Sequence, residues 1–425
     1  MTRRFKVLVL VVVLLLTATT GIVVVWAEED ERQPVTILGT WTGTQEKQFK
    51  EVLQGFGIPF RYQGTAAQRE VLLSKVQSGE PPDIVIMPGI GELADYASQN
   101  RLKRLNGLYD PRQYGSPWNA ASTTSPNVYW VPVKADLKSI VWYRQGHRPA
   151  DSPARLQSWC IGMGDDGASG WPGTDWIEDL VLQRAGPDIY GEWALGKKRG
   201  KDGKSTWWTS PPVSNAWQAW ADLLGQNRAA AAHALLTDHR GAPDSHGLLF
   251  GGWHGCTLEH QGSFARSFYG EADAKHAELM DSAPLLPGGP DQVRAHEVTG
   301  DFAALFSDRR QARDLIERLA SKEGQQKWAA VADVFSANRQ VHPQGGRVED
   351  EIAKRLTGAH PRCLDASDVM APAVRDAFYE AVLLTIARAA AGQAIDINGL
   401  LDDVQSVQNA QPGTSAAPKT VCSTQ

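Results

Sequence analysis

Between Val35 and Asn100, short apolar runs alternate with stretches of helical spacing, and this alternation restricts the chain more than any other feature. Val35-Thr36-Ile37-Leu38, Ile58-Pro59-Phe60-Arg61-Tyr62 and Ile84-Val85-Ile86-Met87 read as strands. Phe49, Val52, Leu53 and Phe56 form the apolar face of a helix after the first. Val71, Leu72 and Val76 belong to a second helix, stopped by Gly79-Glu80-Pro81-Pro82. A third helix runs from about Glu92 to Asn100. Strands joined through helices lie parallel in one sheet, so the pattern predicts a doubly wound α/β domain. Ile84 to Met87 is apolar throughout, as in a strand covered on both faces. Gly89-Ile90-Gly91-Glu92-Leu93-Ala94 fits the dinucleotide pattern G-x-G-x-x-A. It follows the third strand rather than the first, and Asp110, where the acid is expected, sits in a turn. No dinucleotide cofactor is expected.

At 425 residues the chain is too long for one core and long enough for two domains. Its net charge of −5, without a basic block, argues against nucleic acid as a partner. Arg3, Arg4 and Lys6 precede 21 uncharged residues, Val7 to Ala27, and Glu28-Glu29-Asp30-Glu31 closes them. That stretch reads as a signal or an anchor helix and places the rest of the chain outside the membrane, at the cell surface or secreted. Val25-Trp26-Ala27 is a candidate cleavage site, and Trp26 equally suits an uncleaved anchor. Four cysteines, Cys160, Cys256, Cys363 and Cys422, in an exported chain predict disulfides, with three pairings open. Cys256 also lies in His254-Gly255-Cys256 with His260 following, but this spacing fits no usual zinc pattern.

Val128 to Val133 and Ser139 to Tyr143 read as two further strands, the second leaving the first domain for another. Of the 15 tryptophans, 12 lie between Trp118 and Trp253. Most are expected as core filler, Trp217 and Trp220 among them on a helix from Val213 to Leu224. Leu248-Leu249-Phe250 reads as a strand, and Phe264 and Phe268 fall on a helix. Val298 to Phe306 is strand material again. Arg310 to Ala330 reads as one amphipathic helix with Ala312, Leu315, Ile316 and Leu319 inward. Pro372 starts another, with Val374, Phe378, Val382 and Ile386 on one face. Beyond Gln411 the tail is Pro-, Ser- and Thr-rich and is expected to be loose, apart from Cys422.

Ala168-Ser169-Gly170-Trp171-Pro172-Gly173 makes a sharp turn, and Asp175 with Glu178 reads as a capping box opening a helix. Trp171 then stands in the turn, outside the apolar face of Ile177, Leu180 and Val181. A ring held there can lie against a ligand, or plug the gap between loop and core.

Together, Gly39-Thr40-Trp41-Thr42-Gly43, Pro81-Pro82-Asp83-Ile84-Val85, Val131-Pro132-Val133-Lys134-Ala135, Ser169-Gly170-Trp171-Pro172-Gly173-Thr174-Asp175-Trp176 and Val298-Thr299-Gly300-Asp301-Phe302 resemble the extracellular solute-binding proteins of ABC importers. The resemblance is to the carbohydrate branch and, at the Gly-Trp-Pro stretch, to α-glucoside binders. It covers roughly residues 34 to 405. It implies a two-lobed, type II periplasmic-binding-protein-like α/β fold, each lobe a doubly wound sheet with helices, and a ligand cleft between the lobes. It implies lobe 1 over 34–140 and 290–337, lobe 2 over 141–289 and 338–410, a signal or anchor and linker over 1–33, and a tail over 411–425. The expected partners are a carbohydrate, ABC permease subunits and, through the N-terminal helix, the membrane. No catalysis, metal or cofactor is implied. The lipobox cysteine usual in the family is absent.

Mapped onto such a cleft, Trp41 follows the first strand at the ligand end of the sheet, and Trp171 lies on the turn. Asp175 and Glu46 are carboxylates suited to sugar hydroxyl pairs, with Glu46 also on a solvated helix face. Lys134 lies near the hinge, and Trp253 and Gln261 flank a turn in the second lobe. On this domain assignment Cys160 pairs with Cys256 inside lobe 2, and Cys363 with Cys422 closes the tail. The rivals are a secreted glycoside hydrolase, for which Asp165-Asp166 and Glu178-Asp179 are adjacent pairs with no nominated acid or nucleophile, and a ligand-sensing subunit.

Overall fold

The computed structural model describes residues 33–118, 127–197, 204–242, 246–251, 255–342, 345–411 and 418–423. Its strands are β1 (Val35–Gly39), β2 (Phe60–Gly64), β3 (Ile84–Pro88), β4 (Trp130–Leu137), β5 (Ile140–Arg144), β6 (Leu258–His260), β7 (Ala277–Asp281), β8 (His296–Leu305) and β9 (Arg362–Leu364). The larger sheet runs β2-β1-β3-β8-β4, with β9 also beside β8. β1 is parallel to β2 and β3, whereas β8 is antiparallel to β3 and β4. Ile84 to Met87 are fully buried, which is why an unbroken apolar run suits β3. The smaller sheet, β6-β5-β7, is antiparallel. The two-lobed α/β architecture is as expected, but helices and tryptophans dominate the second lobe's core. Trp176 stacks on Trp220 at 4.9 Å and meets Trp159 edge-on at 4.8 Å. Trp208 meets Phe378 at 4.9 Å.

Three local expectations are corrected. The predicted Arg310 to Ala330 helix is two, Arg310–Ala320 and Lys322–Ala332. Ser321 between them is extended and caps the second, its hydroxyl accepting from the Gly324 N–H at 3.0 Å. Leu248 to Phe250 lies in a helical turn, Gly247–Gly251, rather than a strand. The helix expected to open at Asp175 begins at Trp171, because Gly170 turns the chain at φ +107° and Pro172 is tolerated in a first turn. A Cβ at Gly170 would lie 2.8 Å from the Tyr379 carbonyl oxygen. Asp175 is therefore buried one turn inside the helix, and the capping box is not formed.

Both expected disulfides are present, Cys160–Cys256 and Cys363–Cys422. The second ties the tail to β9: Val421 is fully buried, and its carbonyl accepts from the Leu364 N–H at 2.7 Å. Cys256 is thus no metal ligand, His260 bonds Asp179 at 2.8 Å, and His254 lies outside the described residues. The N-terminal helix expected over Val7 to Ala27 also lies outside them. Among the described residues no helix is long and apolar enough to cross a membrane.

The chain crosses between the sheets from β4 to β5, back from β7 to β8, and again after β9, where Pro372–Ala391 packs against the Trp171–Ala185 helix. A buried ionic knot sits at these crossings. Lys138, just past β4, bonds Asp175 at 2.8 Å and also Asp365. Its N–H donates to the Glu297 carbonyl on β8 at 2.8 Å. Glu178 accepts from the Ala366 N–H at 2.8 Å, and the Thr299 hydroxyl bonds Asp368. Asp175, Glu178 and Asp365 come within 4.8 Å of one another, a spacing that suits a metal ion. Lys138 already supplies the cation there by bonding two of the three.

Burial raises Asp175 to about 7 against the pull of Lys138. Burial, reinforced by Asp365, raises Asp368 to about 7, and burial raises Glu259 to about 8. These folded-state values exceed those of the unfolded chain, so their contribution to stability is complete below the unfolded values. It is lost as pH rises through about 7 to 8. His296 has the opposite sign: burial lowers it to about 3, so its contribution is complete above 6.5 and lost only on acidification. The urea midpoint should therefore rise as pH is lowered from about 8.5 to about 6.5, with Glu259 alone contributing roughly 1–2 kcal/mol. A Glu259→Gln protein should show a smaller rise. A wild-type midpoint that falls over this window would contradict the upward shift that burial gives these carboxyls.

Candidate ligand-binding cleft

Between the lobes lies a cleft of about 1700 Å³. Lobe 1 lines its floor with Trp41, Lys134, Asp136 and Asp301. Trp41 arrives at the carboxyl end of β1, where open α/β sheets bind ligands. Its ring packs on Phe49 at 4.7 Å and Trp328 at 4.9 Å and is only 4% exposed. The indole N–H donates to Asp301 at 3.2 Å. Lys134 on β4 faces Asp301 on β8 in register, its ammonium 3.8 Å from that carboxylate and 2.9 Å from Asp136. Burial pulls the Lys134 pKa down, but the two carboxylates outweigh it and hold the ammonium charged. Burial raises Asp301 against the pull of Lys134. The Ser263 hydroxyl, from the second lobe, donates to the other oxygen of Asp136 at 2.8 Å. A chain of polar contacts thus runs from Trp41 across the floor to the opposite lobe.

Lobe 2 contributes Asp165, Trp171, His239, Arg240 and Phe264. Trp171 is half-buried, and its indole N–H donates to Asp165 at 2.8 Å. Its ring meets His239 edge-on at 4.8 Å and Phe264 at 5.8 Å. Burial holds His239 below the usual imidazole range, despite the nearby Asp165. Arg240 is clamped by Asp238 at 2.8 Å and lies 3.4 Å from Asp165. At the other end of the cleft, Arg69 and Arg375 share Glu92 at 3.3 and 3.4 Å, beside Tyr379, which burial pushes up to about 12.

Of the residues expected at the site, Trp41, Lys134 and Trp171 line this cleft together. Asp175 does not; it belongs to the Lys138 knot. Gln261 lies behind the wall and donates to the His239 carbonyl at 2.8 Å. Glu46 pairs with Lys50 at 2.5 Å on its own helix, away from the lining. Trp253 lies outside the described residues. Asp136, His239, Phe264 and Asp301 line the cleft without having been expected at the site, and Asp165 was weighed only for the rival hydrolase. Asp301 and Asp165 stood in or beside stretches that carried the family resemblance or the rival hydrolase reading; His239 stood in none.

No family model matches the chain. It is 28% identical over 376 residues to the osmoprotective compounds-binding protein GgtB of Synechocystis, covering 81% of this chain and 86% of that one. It is 29% identical over 374 residues to the alpha-glucosides-binding periplasmic protein AglE of Rhizobium meliloti, covering 80% of each. Among solved structures, a chitin oligosaccharide binding protein superposes with a TM-score of 0.65 at 16% identity, covering 88% of this chain and 98% of that one. The cyclic alpha-maltosyl-1,6-maltose binding protein of Arthrobacter globiformis superposes with a TM-score of 0.58 at 17% identity, covering 89% and 99%. These structures share the two-lobed fold, the sequence relatives match along four fifths of the chain, and the polar and aromatic lining faces inward between the lobes. In fold and along most of its sequence the chain is thus similar to these solute-binding proteins.

Proposed function

We propose that the protein captures a carbohydrate of the α-glucoside class in the cleft between its lobes and delivers it to an ABC permease outside the cytoplasm. The observation that carries this reading is the pairing of a half-buried Trp171 with charged hydrogen-bonding groups, Asp165 beside it and Lys134, Asp136 and Asp301 on the facing lobe. An aromatic face stacks on the apolar face of a sugar ring, and fixed carboxylates accept from its hydroxyls. The likeness to an α-glucoside binder supports the ligand class.

The carboxylates beside Trp171 and Lys134 favour binding over hydrolysis. Asp136 is held by Lys134 and Ser263, Asp301 by Trp41 and Lys134, and Asp165 by Trp171. A hydrolase needs one free nucleophile or base and one acid facing it across the bond. The lobes are proposed as 34–140 with 290–337 and 141–289 with 338–410, closing about the crossings between them. We place the apolar stretch Val7 to Ala27 in the membrane as an anchor. N-terminal sequencing of membrane-bound protein should then find residues before Val7, and a mature start near Glu28 would contradict the anchor.

Maltose, trehalose or sucrose should raise the melting temperature of the soluble part, because a ligand that binds only the native state stabilises it. Incubation should return the sugar intact, and released glucose would favour the hydrolase. Trp171→Ala should weaken binding by roughly 1–3 kcal/mol, about ten- to a hundredfold. Its stability without ligand should fall by less than the roughly 3–5 kcal/mol of a fully buried Trp→Ala change. Unchanged affinity with a collapsed urea midpoint would remove Trp171 from the site.

A further inference from the structure

Lys138 does not line the cleft, yet it touches both the hinge and the ring proposed to hold the ligand. Its side chain is 7% exposed, and its ammonium lies 5.6 Å from the centroid of the Trp171 ring. The same ammonium bonds Asp175, one turn further along the helix that Trp171 begins. It also bonds Asp365, which follows β9, while its backbone bonds Glu297 on β8. One residue in the first crossing is thereby joined to the second crossing, to the third, and to the helix carrying Trp171. The Thr299 hydroxyl extends the knot into the cleft lining through Asp368.

We infer that Lys138 is a positioning residue for ligand binding: its buried ammonium fixes the Trp171 ring relative to the three crossings, so that seating a ligand on the ring and setting the angle between the lobes are coupled. The inference rests on the reading of Trp171 as a ligand platform. A cation over an indole is attracted to the ring's negative face, and the attraction is strongest where water is excluded. The ring is also restrained by the Asp165 bond at its N–H edge and by edge contacts with His239 and Phe264. The knot is poorly suited to stability alone. Asp175, Glu178, Glu297, Asp365 and Asp368 surround one lysine, and the two oxygens of Glu297 have no hydrogen-bond partner among the described residues. A buried ionic group of this kind is often matched or bettered in stability by apolar side chains of similar size. What an apolar side chain does not supply is a single charge bonded at once to several segments.

The test is a double-mutant cycle read by titration calorimetry, with maltose, trehalose and sucrose as probes. Lys138→Met should weaken binding roughly 3- to 30-fold in the wild-type background. In a Trp171→Ala background it should cost less than about twofold, because the ring through which it acts is gone. Equal losses in both backgrounds, or no loss in the first, would overturn the inference. Should Lys138→Met fail to fold, Lys138→Met with Asp365→Asn removes a carboxylate left without its cation. That protein should melt near the wild type and still bind weakly, and wild-type affinity in it would overturn the inference. A Trp171→Ala protein of undiminished affinity would remove the platform itself, and the inference with it. A weakened Trp171→Ala protein with an additive Lys138 loss would overturn the coupling alone.

Discussion

The buried ammonium of Lys138 is the contact on which the arrangement of the lobes depends. It bonds carboxylates contributed by the helix of one lobe and by the segment after β9, and it stands in the first chain crossing. Taking a lysine out of water is costly unless carboxylates meet it, and Asp175 and Asp365 do so at bonding distance. Among the described residues, Lys138 is the cation that pairs with Asp175 and Asp365. Removing either side would leave an unpaired buried charge, so the crossings are held in register by mutual need.

The cleft follows from that register. β4 and β8 run side by side, which puts Lys134 opposite Asp301 and gives the floor one cation between two carboxylates. The Trp171–Ala185 helix begins beside the hinge, so its first residue reaches the opposite wall. Ser263 closes the link from wall to floor through Asp136. A neutral, hydroxyl-rich ligand suits this lining, in which each of these floor charges already meets an opposite one and hydrogen-bonding oxygens remain beside an aromatic ring.

Much of the fold was legible in the sequence, because local signals and tertiary structure agree there. The apolar run Ile84 to Met87 became the buried β3, and Val374, Phe378, Val382 and Ile386 became the inward face of one helix. The break at Ser321 was missed because the apolar spacing continues through it, and only the cap geometry reveals it. The start at Trp171 was missed because Asp175 and Glu178 imitate a capping box while being buried for ionic reasons. The site was less legible than the fold. Trp41, Lys134 and Trp171 could be placed by position along the resemblance, but His239 and Phe264 enter the cleft through the packing of a loop and a short 3-10 helix. No periodicity marks such residues. Asp175 and Gln261 were plausible ligand contacts as residue types, and only burial shows that each serves another residue instead.

The most direct measurement is a crystal structure of the soluble part with a bound α-glucoside. The account predicts a sugar ring against the Trp171 indole, hydroxyls within hydrogen-bond distance of Asp165 and of Asp136 or Asp301, and Lys138 still bonded to Asp175 and Asp365. A sugar bound outside the cleft, or within it with no contact to Trp171, would contradict the account.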